Sequence, residues 1–118
     1  MNSIGSQSLL LQFFGTSPQF RILDFLMENR LSDFTKTEIS KGAEISWASL
    51  FNHWNELEKN RIVQPTRTVG RAKLYRLNEN SQIVKQLKQI EMSLIKNAAL
   101  TEREQMVAKV ENRRNKKN

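Results

Sequence analysis

The stretch Phe34–Leu77, FTKTEISKGAEISWASLFNHWNELEKNRIVQPTRTVGRAKLYRL, joins two short helical patterns to a basic segment with the composition of a β-hairpin. Thr35 and Glu38 have the spacing of a capping box, in which each side chain bonds the other residue's free backbone N–H. A helix is therefore predicted to begin at this pair. It is short, because the pattern stops around Gly42 and Ala43.

The next helix is predicted to begin after Ser46, whose hydroxyl can cap it, and to run to Asn60. One narrow arc of its 3.6-residue wheel carries the residues expected to face the core: Leu50, His53, Trp54 and Leu57. The opposite arc carries Ala48, Asn52, Asn55 and Lys59, with Phe51 at its flank. Two short helices in this order are typical of a helix-turn-helix, and the polar arc is the candidate face for reading DNA bases.

The segments 62–69 and 72–77 are rich in β-branched and aromatic residues, and Gly70 marks a turn between them. Residues 61–78 contain no Asp or Glu but five cations: Arg61, Arg67, Arg71, Lys73 and Arg76. A helix-turn-helix followed by a basic hairpin predicts a winged helix-turn-helix, a mainly α fold with a small β-hairpin wing.

Further helices are expected on both sides of this module. Ser17 and Pro18 begin one of them, because proline is favoured at the first helical position. The preceding cluster, Leu9–Phe14, is too apolar to stay exposed. After the wing, apolar residues at steps of four, three and four form a heptad seam about two repeats long: Ile83, Leu87, Ile90 and Leu94.

Near the end of the chain, Thr101 and Glu104 again have capping-box spacing and predict a separate last helix. The basic residues 112–118 are expected to be disordered. The expected division is an N-terminal extension with an apolar cluster (1–16), a winged helix-turn-helix DNA-binding domain (17–79), a dimerisation helix (80–98) and a C-terminal helix with a basic tail (99–118).

Charge is distributed unevenly along the 118 residues, whose formal net charge is +7. Residues 1–60 have a net charge of −2, whereas residues 61–118 have a net charge of +9. This asymmetry favours a polyanion bound by one part of the surface. The absence of Cys and of a long apolar run favours a cytoplasmic protein that does not enter a membrane.

The sequence lacks the residue patterns that catalysis and cofactor binding require. It has no Cys nucleophile, no Gly-rich phosphate loop and no Ser with a His partner in a recognisable arrangement. His53 is the single His, so no second His or Cys completes a metal site, and it is expected in the core. We therefore expect no enzyme, no cofactor and no metal.

The chain resembles the winged helix-turn-helix transcriptional regulators common in archaea, broadly similar to the MarR and ArsR groups, over roughly residues 18–97. The motifs that carry the resemblance are FTKTEI (34–39), ISWASL (45–50), LEKNRIV (57–63) and GRAKLYRLN (70–78). The resemblance implies a regulator that binds double-stranded DNA. Arg61 stands where the family usually has Gly, so Asn60 is expected to take the left-handed position at the helix end.

Ten residues are candidates for contact with DNA: Lys36, Trp47, Ala48, Ser49, Phe51, Asn52, Asn55, Arg67, Arg71 and Lys73. Asn52 and Asn55 can each bond the edge of an adenine, or else are ordinary solvated residues. Arg71 at the wing tip fits phosphate or minor-groove contact, with a solvated loop charge as the alternative. Trp47 either lies against the DNA backbone or packs partly against the protein.

Together these features predict a homodimeric, sequence-specific transcriptional regulator, with one helix in the major groove and the wing on the flanking backbone or minor groove. The heptad seam is expected to pair with its copy in a second chain, or else to pack within its own chain. An architectural, partition or replication protein that coats DNA and a winged-helix scaffold that docks proteins are the alternatives. The residues indicate no site for a small-molecule effector.

Overall fold

The computed structural model describes the backbone of residues 7–116 and the side chains of residues 7–115. Three antiparallel strands, in the order β1-β3-β2, lie beside five helices. The arrangement confirms the predicted mainly α winged helix-turn-helix with a C-terminal helix. In chain order the elements are α1 (Leu9–Phe14), α2 (Pro18–Glu28), β1 (Phe34–Thr35), α3 (Lys36–Gly42), α4 (Trp47–Lys59), β2 (Val63–Val69), β3 (Ala72–Leu77) and α5 (Gln82–Lys116).

Hydroxyl side chains begin the helices of this module, as the sequence predicts. The Thr35 hydroxyl accepts a hydrogen bond from the Glu38 N–H at 3.2 Å, and the Thr35 N–H donates to Glu38 Oε1 at 2.8 Å. The Ser46 hydroxyl accepts from the Ser49 N–H at 3.1 Å. These caps satisfy backbone donors that have no partner inside the helix.

The end of α4 differs from the prediction at one residue. Arg61 itself adopts the left-handed conformation, with φ 57°, whereas Asn60 has φ −87°. The Ile62 N–H donates to the Leu57 carbonyl at 2.9 Å, and the Arg61 N–H donates to the Glu58 carbonyl at 3.0 Å. This pair of bonds is a Schellman motif, which places the left-handed residue immediately after the C-cap.

A third strand, β1, adds to the two strands of the predicted hairpin. Phe34 pairs with Tyr75 and Thr35 pairs with Leu74, so the chain just before α3 is tied to the centre of the sheet. A two-residue strand has no periodicity that a sequence could reveal. Because β1 pairs with β3, Asp33, the residue before β1, lies beside the wing.

The core lies between the helices, the inner face of the sheet and the start of α5. The predicted apolar cluster forms α1: Leu10 is fully buried and Phe14 stacks on Phe20, with ring centroids 5.0 Å apart. The expectation that this cluster is covered is wrong for Phe13, which remains 68% exposed. Residues 1–6 of the predicted N-terminal extension lie outside the described residues. The largest fully buried side chains are Leu10, Ile22, Leu26, Ile39, Leu50, Leu57, Leu77 and Val84.

The C-terminal region is one continuous helix of 35 residues, so the prediction of a separate last helix is wrong. The Thr101 hydroxyl donates to the Asn97 carbonyl at 2.9 Å instead of capping a new helix. No Gly or Pro occurs between residues 82 and 116 to stop the helix. Residues 112–116 are helical rather than disordered, and residues 117–118 lie outside the description. Within residues 7–116, no helix has the length and hydropathy needed to cross a membrane.

The predicted heptad seam is divided between two faces of α5. Leu87 and Leu94 pack against the core of their own chain, as the alternative reading expected, whereas Ile83 and Ile90 are 42% and 38% exposed. The most buried residue of the helix is Val84, which the predicted seam does not include. The inward stripe therefore begins one residue later than predicted. It contains Val84, Leu87, Glu91, Leu94 and Ala98.

Gly42 permits close contact between α3 and α2, which leads to a first prediction. A Cβ added at Gly42 would overlap the ring of Phe25, and Phe25 itself packs against Phe34 with centroids 4.9 Å apart. We expect Gly42→Ala to lower the free energy of unfolding by about 1–3 kcal/mol, because overpacking strains both helices. Urea unfolding measures this loss. Adding Phe25→Leu should recover part of it, and an unchanged urea midpoint in Gly42→Ala would contradict the contact.

Asp24 on α2 carries a buried carboxylate, and 8% of the residue is exposed. The Ser8 hydroxyl donates to Asp24 Oδ1 at 2.6 Å, which ties the start of α1 to α2. Burial raises the pKa of Asp24 above its ordinary value of 3.8, despite the hydrogen bond. Burial and the charge of Asp24 also raise the pKa of Glu28 and of Glu91, the latter on α5.

A raised folded-state pKa makes the charged form of Asp24 unfavourable in the folded protein. The protonated carboxyl of Asp24 stabilises the fold. This contribution to the free energy of unfolding is complete below pH 3.8 and is lost as the pH rises through the folded-state pKa. We therefore expect Asp24→Asn, which can still accept from Ser8, to unfold at higher urea than the wild type at pH 7. The advantage should shrink toward pH 4. An Asp24→Asn variant that is less stable at pH 7 would contradict this, and Glu111→Gln on the exposed end of α5 is the control.

Candidate nucleic-acid interface

The outward face of α4 carries five of the ten predicted site residues. Its inward face buries Leu50, Trp54 and Leu57, which fixes the rotation of the helix against the core. Because residues four apart lie on the same side of a helix, the opposite face is also defined. Ala48, Phe51, Asn52 and Asn55 are exposed there, as the predicted outward arc requires, and Trp47 at the start of the helix is exposed beside them.

Two neighbouring residues of α4 are less exposed than this face. Ser49 is half-buried beside the outward face of α4. His53, which the sequence places in the core, is also only half-buried, because it lies at the edge of the inward arc and Trp54 fills the centre. Trp47 is 50% exposed, so half of this residue is available to a partner.

Charge along α4 restricts which part of the helix can approach a polyanion. Its exposed acidic residues, Glu56 and Glu58, lie in the last turns, whereas the first nine residues, 47–55, contain no Asp or Glu. Phosphates are repelled by carboxylates, so only the N-terminal half of α4 suits entry into a DNA groove. Helix-turn-helix proteins contact base edges with that half of the recognition helix.

Lys36 is held at the edge of this face by aromatic rings. Its Nζ lies 5.4 Å from the ring centroid of Trp54 and 5.6 Å from that of Tyr75. The two rings meet edge to face at 4.9 Å, which gives the ammonium a rigid platform. The sequence did not reveal this platform, because Tyr75 reaches Trp54 only through the folding of β3 against α4.

Two grooves beside Lys36 are lined by five of the ten predicted residues: Lys36, Phe51, Asn52, Asn55 and Lys73. One, of about 370 Å³, is lined by Lys36, Phe51, Asn52, Trp54, Asn55 and Glu58. The other, of about 230 Å³, runs between the start of α3 and β3 and is lined by Thr35, Lys36, Thr37, Ala72, Lys73 and Tyr75. The ammonium groups of Lys36 and Lys73 thus belong to one continuous surface with the outward face of α4.

The wing ends in a two-residue turn that places a cation at its tip. Val69 pairs with Ala72, and Gly70 between them has φ 62°, a conformation that glycine adopts without strain. Arg71 follows at the tip and Lys73 lies on β3, both exposed. Neither forms an ion pair within the described part of the chain, so both charges are available to a polyanion.

Arg67 is the exception among the predicted wing cations. Its Nε lies 3.0 Å from Asp33 Oδ2 and its Nη2 lies 3.2 Å from Asp33 Oδ1, a bidentate pair. The Thr66 hydroxyl also donates to Asp33, and the hydrogen bond from Arg67 is the largest cause of the lowered pKa of this carboxyl. The expectation that the wing cations lack acidic partners is therefore wrong for Arg67. Asp33 was missed because it is 34 residues away and is brought there by β1.

Comparison with known proteins agrees with this architecture. No family profile matches the chain, and no curated protein matches it in sequence. Among solved structures, it is similar to MepR, a transcription regulator of a Staphylococcus aureus multidrug efflux pump, with TM-score 0.60 and 22% identity over 86% of this chain and 78% of that one. A variant of MepR bound to an oligodeoxyribonucleotide gives TM-score 0.59 and 20% identity, over 86% and 79% of the two chains.

A MarR family protein from Bacillus stearothermophilus is also similar, with TM-score 0.53 and 20% identity over 88% of this chain and 78% of that one. At these identities the likeness concerns the fold. The fold of this chain is the MarR-like winged helix, which agrees with the MarR part of the predicted resemblance.

Proposed function

We propose that this chain is a sequence-specific, double-stranded DNA-binding transcriptional regulator that acts as a homodimer. The observation that supports this most strongly is the continuous surface formed by the outward face of α4, Lys36 and Lys73, with the exposed Arg71 two residues before Lys73 at the wing tip. The N-terminal half of α4 enters the major groove, and the wing tip reaches the flanking backbone or minor groove. A MepR variant of similar fold is bound to an oligodeoxyribonucleotide, which supports DNA as the partner.

Each predicted residue has a role in this proposal. Asn52 and Asn55 bond base edges, while Lys36, Arg71 and Lys73 neutralise phosphates. Arg67 contributes indirectly, because its bond to Asp33 holds β2 to the segment before β1. Trp47, Ala48, Ser49 and Phe51 complete the contact along α4.

The exposed apolar residues of α5 support dimerisation. Ile83 and Ile90 are exposed along its first half, and further exposed apolar residues follow: Met92, Ile95, Leu100, Met106, Val107 and Val110. Residues 101–115 are exposed throughout, so this end of the helix extends away from the core of its own chain. Apolar surface of this extent favours a second copy as its cover, and a two-fold dimer presents two α4 helices to a palindromic site.

The proposed location, the non-catalytic function and the archaeal source are supported by composition and resemblance. The absence of Cys in the sequence supports a cytoplasmic location. Two proteins of similar fold, MepR and AntR, are a transcription regulator and a transcriptional repressor, which supports a non-catalytic function. The resemblance to archaeal regulators remains a prediction about the source.

Selection of bound fragments from genomic DNA, followed by footprinting, tests this function. A regulator protects a short palindrome with half-sites about one helical turn apart. Protection that extends along the DNA without a common motif would instead indicate the architectural, partition or replication alternative. Absence of any mobility shift at low salt would favour the protein-docking scaffold.

A further inference from the structure

The outward face of α4 exposes apolar side chains next to its amides. A helix face in contact with water normally carries polar side chains instead. Phe51 is 67% exposed and Trp47 is 50% exposed, and Ala48 is exposed beside them. None of the three belongs to the core or packs against it. Most of the apolar surface of Phe51 gains nothing from folding, so a further gain is expected when a partner covers this face.

Phe51 occupies a defined place in the proposed interface. It lines the 370 Å³ groove together with Asn52 and Asn55, and it is adjacent to Asn52 in the chain. Lys36 lies at the same groove, above the rings of Trp54 and Tyr75. An apolar side chain, two amides and an ammonium group therefore line one groove, which also contains the Glu58 carboxylate from the last turns of α4.

This combination fits one nucleic-acid surface in particular. In the major groove, the apolar group displayed on a base-pair edge is the C5-methyl of thymine, which phenylalanine and alanine side chains contact. Adenine, on the other strand of the same pair, offers the N6 and N7 atoms that an asparagine amide can bond at once. The N-terminal half of α4, residues 47–55, contains no Arg or Lys, the side chains that bond guanine, and Lys59 in the last turn is the one Lys of this helix.

We infer that Phe51 reads the C5-methyl group of thymine at an A·T pair contacted by α4, with Asn52 or Asn55 on an adenine of the same or the next pair. The inference rests on the proposed function and adds to it the class of sequence recognised, a half-site containing A·T pairs. The amides and the ammonium group favour DNA over a protein partner for this aromatic face.

The test replaces thymine by deoxyuridine, which removes the methyl group and leaves the hydrogen-bonding edges intact. A duplex chosen by fragment selection is prepared with deoxyuridine at one thymine position at a time, in both half-sites. For the wild type, we expect one position at which affinity falls roughly fourfold per methyl group lost, as the burial of one methyl group predicts. At that position, Phe51→Ala should bind the thymine and deoxyuridine duplexes equally.

Phe13→Ala is the matched control, because Phe13 is 68% exposed but lies on α1. Its ratio of thymine to deoxyuridine affinity should equal that of the wild type. If the wild type binds the selected duplex and every deoxyuridine duplex equally, or if Phe51→Ala keeps the fourfold difference, the inference is overturned and DNA binding stands. If no duplex is bound, both the inference and the proposed function fail.

Discussion

Replacing Arg71 by Ala is expected to lower the affinity for duplex DNA roughly 10- to 100-fold for each subunit of the dimer. A charge-assisted hydrogen bond to a phosphate contributes about 1.5–3 kcal/mol, and Arg71 at the wing tip has no carboxylate partner within the described residues. The loss should be similar for every DNA sequence, because phosphates carry no base identity. The slope of log affinity against log salt should fall by about 0.9 for each subunit.

Titrations at two salt concentrations, with the selected site and with an unrelated duplex, measure both quantities. Lys109→Ala removes the same charge from the exposed end of α5, far along the chain from the wing. It should change the affinity and the salt slope much less. Equal losses for the two variants would mean that net charge rather than the wing determines binding, and would contradict the assignment of Arg71.

The second large effect concerns the dimer. We expect Ile90→Asp to convert a dimer of two 13.8 kDa chains into monomers, because it places a charge on the exposed apolar side of α5. Affinity for a palindromic site should fall by about 100-fold or more, since linking two binding heads raises the overall affinity by 10²–10⁴. Sedimentation gives the mass, and the same DNA titration gives the affinity.

Leu31→Asp is the control for this change, because Leu31 is an exposed aliphatic residue in the loop after α2 and is absent from the proposed dimer surface. It should leave the mass unchanged. A wild type that sediments as a monomer at micromolar concentration, or an Ile90→Asp variant that remains dimeric, would remove α5 as the dimerisation helix.

Features that depend on neighbouring residues could be predicted from the sequence. The Thr35–Glu38 box, the Ser46 cap and the Gly70 turn involve residues at most three apart, so their chemistry is visible in the printed chain. The rotation of α4 was also predictable, because Leu50, Trp54 and Leu57 fix its inward arc. This is why the outward face agrees with the prediction.

Features that depend on distant pairing could not be predicted in the same way. The Asp33–Arg67 bond requires β1, whose two residues carry no periodic signal. On α5, the shared positions Leu87 and Leu94 fit both the predicted seam and the true inward stripe. Only contact with α1 and the core distinguishes Val84 from Ile83 as the residue that is buried. Likewise, capping-box spacing at Thr101 does not start a helix where the preceding one continues.

Amide chemical shifts would show whether the N-terminal half of α4 and the wing tip contact DNA together. ¹⁵N-labelled protein is titrated with the selected duplex and with a duplex of scrambled sequence. We expect the largest shifts at residues 46–55 and 69–73, with those of 46–55 reduced for the scrambled duplex. Shifts confined to α5 or to the Asp33–Arg67 side of the wing, with residues 46–55 unchanged, would contradict this contact.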